Sequence, residues 1–147
     1  MVTLEGGLEA FWKRGDVDPP GLAGVRKEVA AYELALVLGW DELLQVTARR
    51  HERSDDGKAV EVASIELLPE GADDLAPGQF ERSDTERAGV FDALIANTDR
   101  RGHNWRGLRS PNGGYRLKLY DHELAFGTSV DLAKVQSSFW SLIGEVC

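Results

Sequence analysis

The sequence predicts an α+β fold, on three observations. Read along the chain, the elements run strand, helix, strands, helix, loop, hairpin, helix, with strands and helices segregated rather than regularly alternating. Two turn signals, Asp55-Asp56-Gly57 and Ser110-Pro111-Asn112-Gly113-Gly114, sit where strands would be joined as hairpins. The 147 residues, 42% hydrophobic and 29% charged, suit one globular domain and argue against disorder.

Leu8 to Lys13 reads as the end of a strand, and Gly15 and Pro19-Pro20-Gly21 break regular structure after it. Helical periodicity runs from about Gly24 to Leu38, with Val25, Val29, Tyr32 and Leu36 at three- and four-residue steps. Gly39 is placed to end that helix. The polar stretch His51 to Lys58 carries a turn, and Ala59 to Leu68 follows as a strand. Pro69 to Gln79 is an acidic loop rich in Gly and Pro. Ser83-Asp84-Thr85-Glu86 has capping-box spacing and opens a helix to about Ala96, with Ala88, Phe91, Leu94 and Ile95 on one face. After the Ser110–Gly114 turn, Arg116 to Tyr120 is a strand with Leu117 and Leu119 facing one way. Thr128 or Ser129 caps a last helix, about Val130 to Val146, whose stripe is Leu132, Val135, Phe139, Leu142 and Ile143. A small sheet-plus-helix part (about 1–75) and a helical part (about 76–147) then flank a cleft near Glu70 to Leu75.

Several classes are disfavoured. A formal net charge of −8 opposes nucleic acid and anionic membrane surfaces. No apolar run reaches membrane-spanning length, and the N-terminus lacks a signal-peptide layout. Cys147 is the only cysteine, so no internal disulfide forms, and a cytoplasmic location is the default expectation. His51, His103 and His122 lack the close pairing of a zinc site, and no Gly-x-Ser-x-Gly elbow occurs.

The residues that carry chemistry cluster between Phe91 and Phe126. Asp99 is followed five residues later by Asn104, and a hairpin then leads to Asp121 at a strand end. Phosphoryl transfer needs a carboxylate at the acceptor hydroxyl, and oxygen ligands for a Mg²⁺ that bridges phosphates. Asp99, Asn104 and Asp121 have the types and order for this. The Asp99–Asn104 pair reads equally well as ordinary turn residues.

The run Asn97-Thr98-Asp99-Arg100-Arg101-Gly102-His103-Asn104-Trp105 resembles the catalytic loop of the phosphatidylinositol 3/4-kinase-like superfamily, most closely the type II 4-kinases. Tyr120-Asp121-His122-Glu123-Leu124-Ala125-Phe126 is similar to their metal-binding strand end. Arg26 to Tyr32 and Leu38-Gly39-Trp40 resemble the helix of a bacterial, largely actinobacterial, branch, and Phe11-Trp12-Lys13 resembles its lysine strand. The likeness covers about Ala10 to Gly144. It implies a compact, protein-kinase-like two-lobed fold with a reduced N-terminal lobe. It further implies Lys13 on the nucleotide phosphates, Glu28 pairing with that lysine, Asp99 as catalytic carboxylate, and Asn104 and Asp121 on Mg²⁺. Glu33 is the rival partner for Lys13.

Two departures stand out. Only Gly6 and Gly7 are available for a phosphate-covering turn, with too little chain before them for a full hairpin, as in a pared-down or truncated relative. Glu123 replaces the usual glycine, where a side chain would crowd the metal site or add a carboxylate to it. Arg100, Arg101, Arg106 and Arg109 form the one basic cluster, with Arg100 either a transition-state cation or a structural arginine.

The resulting expectation is an ATP- and Mg²⁺-dependent phosphotransferase acting on a hydroxyl of a small molecule or protein. Nucleotidyl transfer is a related possibility, and phosphoinositide is disfavoured as substrate by charge. The alternative is a catalytically inactive pseudokinase that binds nucleotide or a partner, and a third is a structural subunit that completes its cleft by homodimerising.

Overall fold

A computed structural model describes residues 1–14, 19–53, 56–57, 59–67, 74–127 and 132–143. The fold is α+β. Strands β1 (Val2–Thr3), β2 (Glu9–Arg14), β3 (Thr47–Arg53) and β4 (Ala59–Leu67) form an antiparallel sheet in the order β1-β2-β4-β3. Helix α1 (Pro19–Leu38) packs on it. Helix α2 (Arg82–Leu94), a hairpin of β5 (Trp105–Arg109) and β6 (Tyr115–Leu119), and the short α3 (Trp140–Ile143) complete the described elements.

Gly6 and Gly7 do close a hairpin, though a minimal one. Both take the left-handed φ open to glycine, 87° and 83°, so Val2 pairs with Ala10 and Thr3 with Glu9. The expected break at Pro19-Pro20-Gly21 is not there, because α1 starts at Pro19. Proline suits the first helical turn, where its missing N–H would have had no intrahelical partner.

Most of the expected stripe of α1 is buried, with Val25 and Val29 each 3% exposed and Tyr32 packed against the core, but Leu36 is 49% exposed. Glu28, Ala31 and Ala35 share the buried face, and the small alanines join the core with Leu43 and Phe91. β3 begins earlier than the polar run suggested and bulges between Arg50 and His51. Asp55, part of the expected turn after it, lies outside the described residues, as do Gly15, Thr128, Ser129, and Glu70 to Asp73 of the expected cleft.

α2 does not open on a capping box. Glu81 is its N-cap without a side-chain cap bond, and Ser83 lies inside the first turn. Asp84 serves a longer-range purpose. Its carboxylate, on a residue 1% exposed, accepts from Arg87 at 2.8 Å, from Arg116 at 2.9 Å and from the Leu117 N–H at 3.1 Å, fastening the hairpin to the helix. Ala88, Phe91 and Ile95 are buried as expected, but Leu94 is 57% exposed. Leu117 and Leu119 do point together into the core. A Cβ on Gly107 would overlap the Leu75 side chain and sit 3.2 Å from the Phe80 ring, so glycine is what lets the 75–80 segment lie against the hairpin.

The long C-terminal helix is the largest correction within the described residues. Leu132–Lys134 is a 3₁₀ turn, and α3 spans only Trp140–Ile143. Between them the backbone bonds elsewhere: the Gln136 N–H to Asn97 O at 3.0 Å, and the Ser138 N–H to Arg100 O at 3.3 Å. Amides bonded to a neighbouring loop cannot close helical i→i−4 bonds. Val135 and Phe139 are buried nonetheless, and Leu142 is 41% exposed. One core joins Ala31 and Ala35 of α1 to Leu43, Leu44, Phe91, Ile95, Leu117, Leu119 and Phe139. Among the described residues no helix is long and apolar enough to cross a membrane.

Asp84→Ala strands the buried Leu117 amide and leaves Arg87 and Arg116 to Glu42, and should lower stability by roughly 1–3 kcal/mol. Urea denaturation measures it, and a loss near zero would show that the hairpin holds without this carboxylate.

Candidate active site

Alternation on β2 puts Phe11 and Lys13 on one face of the sheet, and the β2–β4 register places Glu66 opposite Phe11 and Ser64 opposite Lys13. α1 crosses that face and presents Glu28, 1% exposed. The Lys13 ammonium lies 2.6 Å from Glu28 Oε1 and 2.7 Å from Asp121 Oδ1, the latter 108 residues away in sequence. Glu66 Oε1 is 3.9 Å from the same nitrogen. Glu33, the rival partner, faces outward and pairs with Arg49 at 3.0 Å.

Asp121 reaches Lys13 because the β5–β6 hairpin delivers it. Trp105 pairs with Leu119, and the Tyr120 N–H bonds Asn104 O at 3.2 Å, so Asn104 and Asp121 leave the same end of the hairpin. Asp121 takes φ 60°, a left-handed conformation that a non-glycine residue holds only where its surroundings impose it. Those surroundings are visible next door: the His122 N–H donates to Glu28 Oε1 at 2.8 Å and its ring Nδ1 lies 3.3 Å from Oε2. Glu28 thus fastens the lysine on one side and the Asp121–His122 turn on the other.

The loop before the hairpin is held by internal bonds. The Asn104 side-chain amide donates to Asp99 O at 2.6 Å, and Asn97 Oδ1 accepts the Asp99 N–H at 3.1 Å. Arg101 pairs with the Asp99 carboxylate. Beneath them Arg100 is 1% exposed. Its guanidinium binds Asp92 at 3.0 Å, Asn104 O at 2.8 Å and Tyr120 O at 2.7 Å. Arg100 is therefore enclosed by protein and positions the loop and the strand end. The transition-state role expected for it is not available to a guanidinium with no face toward a ligand.

Electrostatics follow from this packing. Burial would push the Glu28 carboxyl up, but the His122 hydrogen bond and the Lys13 charge outweigh it and hold the group well below the usual carboxylate range. Burial likewise opposes the Lys13 charge, and Glu28, Glu66 and the bond to Asp121 override it, raising the lysine above its ordinary value. Burial lowers His122, against the pull of its Glu28 hydrogen bond. Glu66 goes the other way. Burial first, then the Glu28 charge, push its carboxyl well above 4.5, against the pull of Lys13.

Lys13 thus contacts both Glu28 and Asp121, Asn104 and Asp99 touch each other, and Arg100 binds the carbonyls of Asn104 and Tyr120 behind them. With its amide nitrogen committed to Asp99, Asn104 has its oxygen for a ligand, and the Asp121 carboxylate is part-exposed. One amide oxygen and one carboxylate suit Mg²⁺, which takes oxygen ligands and leaves the remainder to water and phosphate. Among the described residues no group of three or more His, Cys, Asp or Glu side chains is arranged around a metal position. Glu123 neither crowds this corner nor joins it. It packs over Gly24 of α1, where an added Cβ would come within 3.5 Å of Glu123 Cβ.

Sequence reasoning missed Glu66, and it missed that His122 fastens Glu28. A carboxylate two residues from Ser64, on the same face of a largely apolar strand, was the available signal for the first; nothing short of the fold marked the second. No family model matches the chain, and no curated protein matches it.

Two outcomes test this geometry. Arg100→Lys keeps a charge but cannot span Asp92 and two carbonyls, so it should cost about 3 kcal/mol or more in urea denaturation; an unchanged midpoint would contradict the positioning role. Glu66, with its folded-state value raised, keeps its proton to higher pH in the folded than in the unfolded chain. The Glu66 contribution to stability therefore falls as pH rises from about 4.5. Glu66→Gln removes that dependence, so its melting temperature should gain on wild type between pH 4.5 and neutrality. Parallel profiles would mean that folding does not raise Glu66.

Proposed function

We propose that the chain is a two-lobed, protein-kinase-like phosphotransferase of the phosphatidylinositol 3/4-kinase-like kind, moving a phosphoryl group from ATP to a hydroxyl with Mg²⁺. The observation that carries this reading is the bridge from Lys13 to Glu28 and Asp121 at 2.6 and 2.7 Å. A strand lysine fixed by a helix carboxylate, and facing a carboxylate at a hairpin end, is the arrangement that phosphate positioning requires. The sheet with α1 forms the smaller lobe in this reading, and α2 with the hairpin the larger.

Lys13 holds the phosphates, and Glu28 keeps the ammonium from withdrawing into solvent. Asn104 and Asp121 hold Mg²⁺, which neutralises charge on the phosphate oxygens. Asp99 orients the acceptor hydroxyl and takes its proton. Arg100 keeps Asn104 and Asp121 in register by binding the carbonyls of Asn104 and Tyr120. The acceptor is a small molecule or a protein side chain.

A second reading is favoured by one feature: the site's carboxylates are already engaged, Asp121 by Lys13 and Asp99 by Arg101. A site so closed suits a pseudokinase that binds nucleotide or a partner without turnover.

Thermal denaturation with ATP separates the readings. At about tenfold excess over the dissociation constant, MgATP should stabilise by about 1.4 kcal/mol, a rise of roughly 3–6 °C. Asp121→Asn should abolish the Mg²⁺-dependent part and Lys13→Met most of the whole. Release of labelled phosphate from ATP, lost in Asp99→Asn with binding retained, marks the enzyme; binding without turnover marks the pseudokinase. No shift at millimolar MgATP would reject the phosphotransferase and favour a pseudokinase that binds a partner instead of nucleotide.

A further inference from the structure

Glu66 is the one carboxyl of the cleft without a visible task. It is 1% exposed, and neither of its oxygens makes a well-formed hydrogen bond, although its protonated form interacts with the Glu28 carboxylate. Such a group costs the fold its desolvation, and an apolar side chain of similar volume would pack there more favourably. Its place is specific, however. It shares the Lys13 face of the sheet, and its Oε1 stands 3.9 Å from the ammonium, the next carboxyl after Glu28 and Asp121.

An ammonium has three N–H donors. Glu28 and Asp121 accept two of them in the structure. On the function proposed above, on which this argument rests, Asp121 must turn an oxygen to Mg²⁺, and the metal and the ammonium repel each other. Lys13 then loses one of its two anchors at the moment it has to hold a phosphate. Glu66 lies within reach: a displacement of about 1 Å brings Nζ into hydrogen-bonding range. Because burial and Glu28 favour the protonated acid, its carbonyl oxygen can accept without placing a second full negative charge beside Glu28.

We propose that Glu66 is a positioning residue acting through Lys13, taking over in the ligand-filled cleft the ammonium contact that Asp121 gives up to the metal. Glu28 and Glu66 together then keep the lysine on the phosphates. The Glu66 carboxyl is, on this view, the second position of a two-position anchor.

The test is calorimetric binding of ATP, with Mg²⁺ and with EDTA, to the wild type, Glu66→Gln and Glu66→Leu. Glu66→Gln retains a carbonyl oxygen and should bind MgATP within about threefold of wild type, while Glu66→Leu should lose about tenfold, the worth of one hydrogen bond to a charged group. In EDTA, where Asp121 keeps its bond to Lys13, the wild type and Glu66→Leu should bind ATP alike. A merely structural residue would weaken both forms equally or neither, and either result overturns the proposal. So does a Glu66→Gln variant as weak as Glu66→Leu. Should Glu66→Leu not fold, Glu66→Met provides the same comparison with an unbranched side chain. A wild type that binds no MgATP overturns the proposed function and this role with it; a wild type that binds while Glu66→Leu matches it overturns this role alone.

Discussion

One ammonium group constrains the whole arrangement. Lys13 is part-buried among three carboxyl groups from three different elements, and at contact distance from two of them. Charges this far from bulk water are tolerated only when paired, so the elements that bring the partners must be positioned to within hydrogen-bond distance. The sheet register, the rotation of α1 and the conformation at Asp121 all answer to that demand. α1 turns Glu28 inward beside Val25, Val29, Ala31 and Ala35, and leaves Leu36 and Val37 in solvent.

A second buried cation organises the opposite side. Arg100 joins α2, the loop and the hairpin end through Asp92 and the carbonyls of Asn104 and Tyr120. Its planar fork satisfies groups that diverge in direction, which a lysine cannot do. The two cations divide the labour. Arg100 sets the backbone that carries Asn104 and Asp121, and Lys13 meets the side chains that this backbone presents. The C-terminal stretch takes part as well, since Ser138 and Gln136 bond the same loop instead of winding into a helix.

Much of this was legible in the sequence. The hairpin at Ser110–Gly114 and the inward pair Leu117 and Leu119 follow from local turn chemistry and alternation, which act over a few residues. The convergence of Lys13, Glu28 and Asp121 was expected from motif resemblance, and the geometry brings them together. What failed to read correctly depends on distant partners. Asp84 looked like part of a helix cap, but Arg116 and the Leu117 amide, some thirty positions on, claim its carboxylate. The final helix was a sound amphipathic pattern whose amides were taken by Asn97 and Arg100. Glu66 was passed over because strand alternation reports a face and not what waits beneath it.

The bridge between residues 13 and 121 also bears on how the chain is made. The first sheet and its helix leave the ribosome well before the segment bearing Asp121. Until then Glu28 lacks the His122 amide that completes its coordination, and the nascent sheet and helix carry a half-satisfied acid. Synthesis at about 5–20 residues per second separates the two events by several seconds. These early elements are thus left waiting for the late hairpin, and misdocking in that interval would expose a charged seam rather than an oily one.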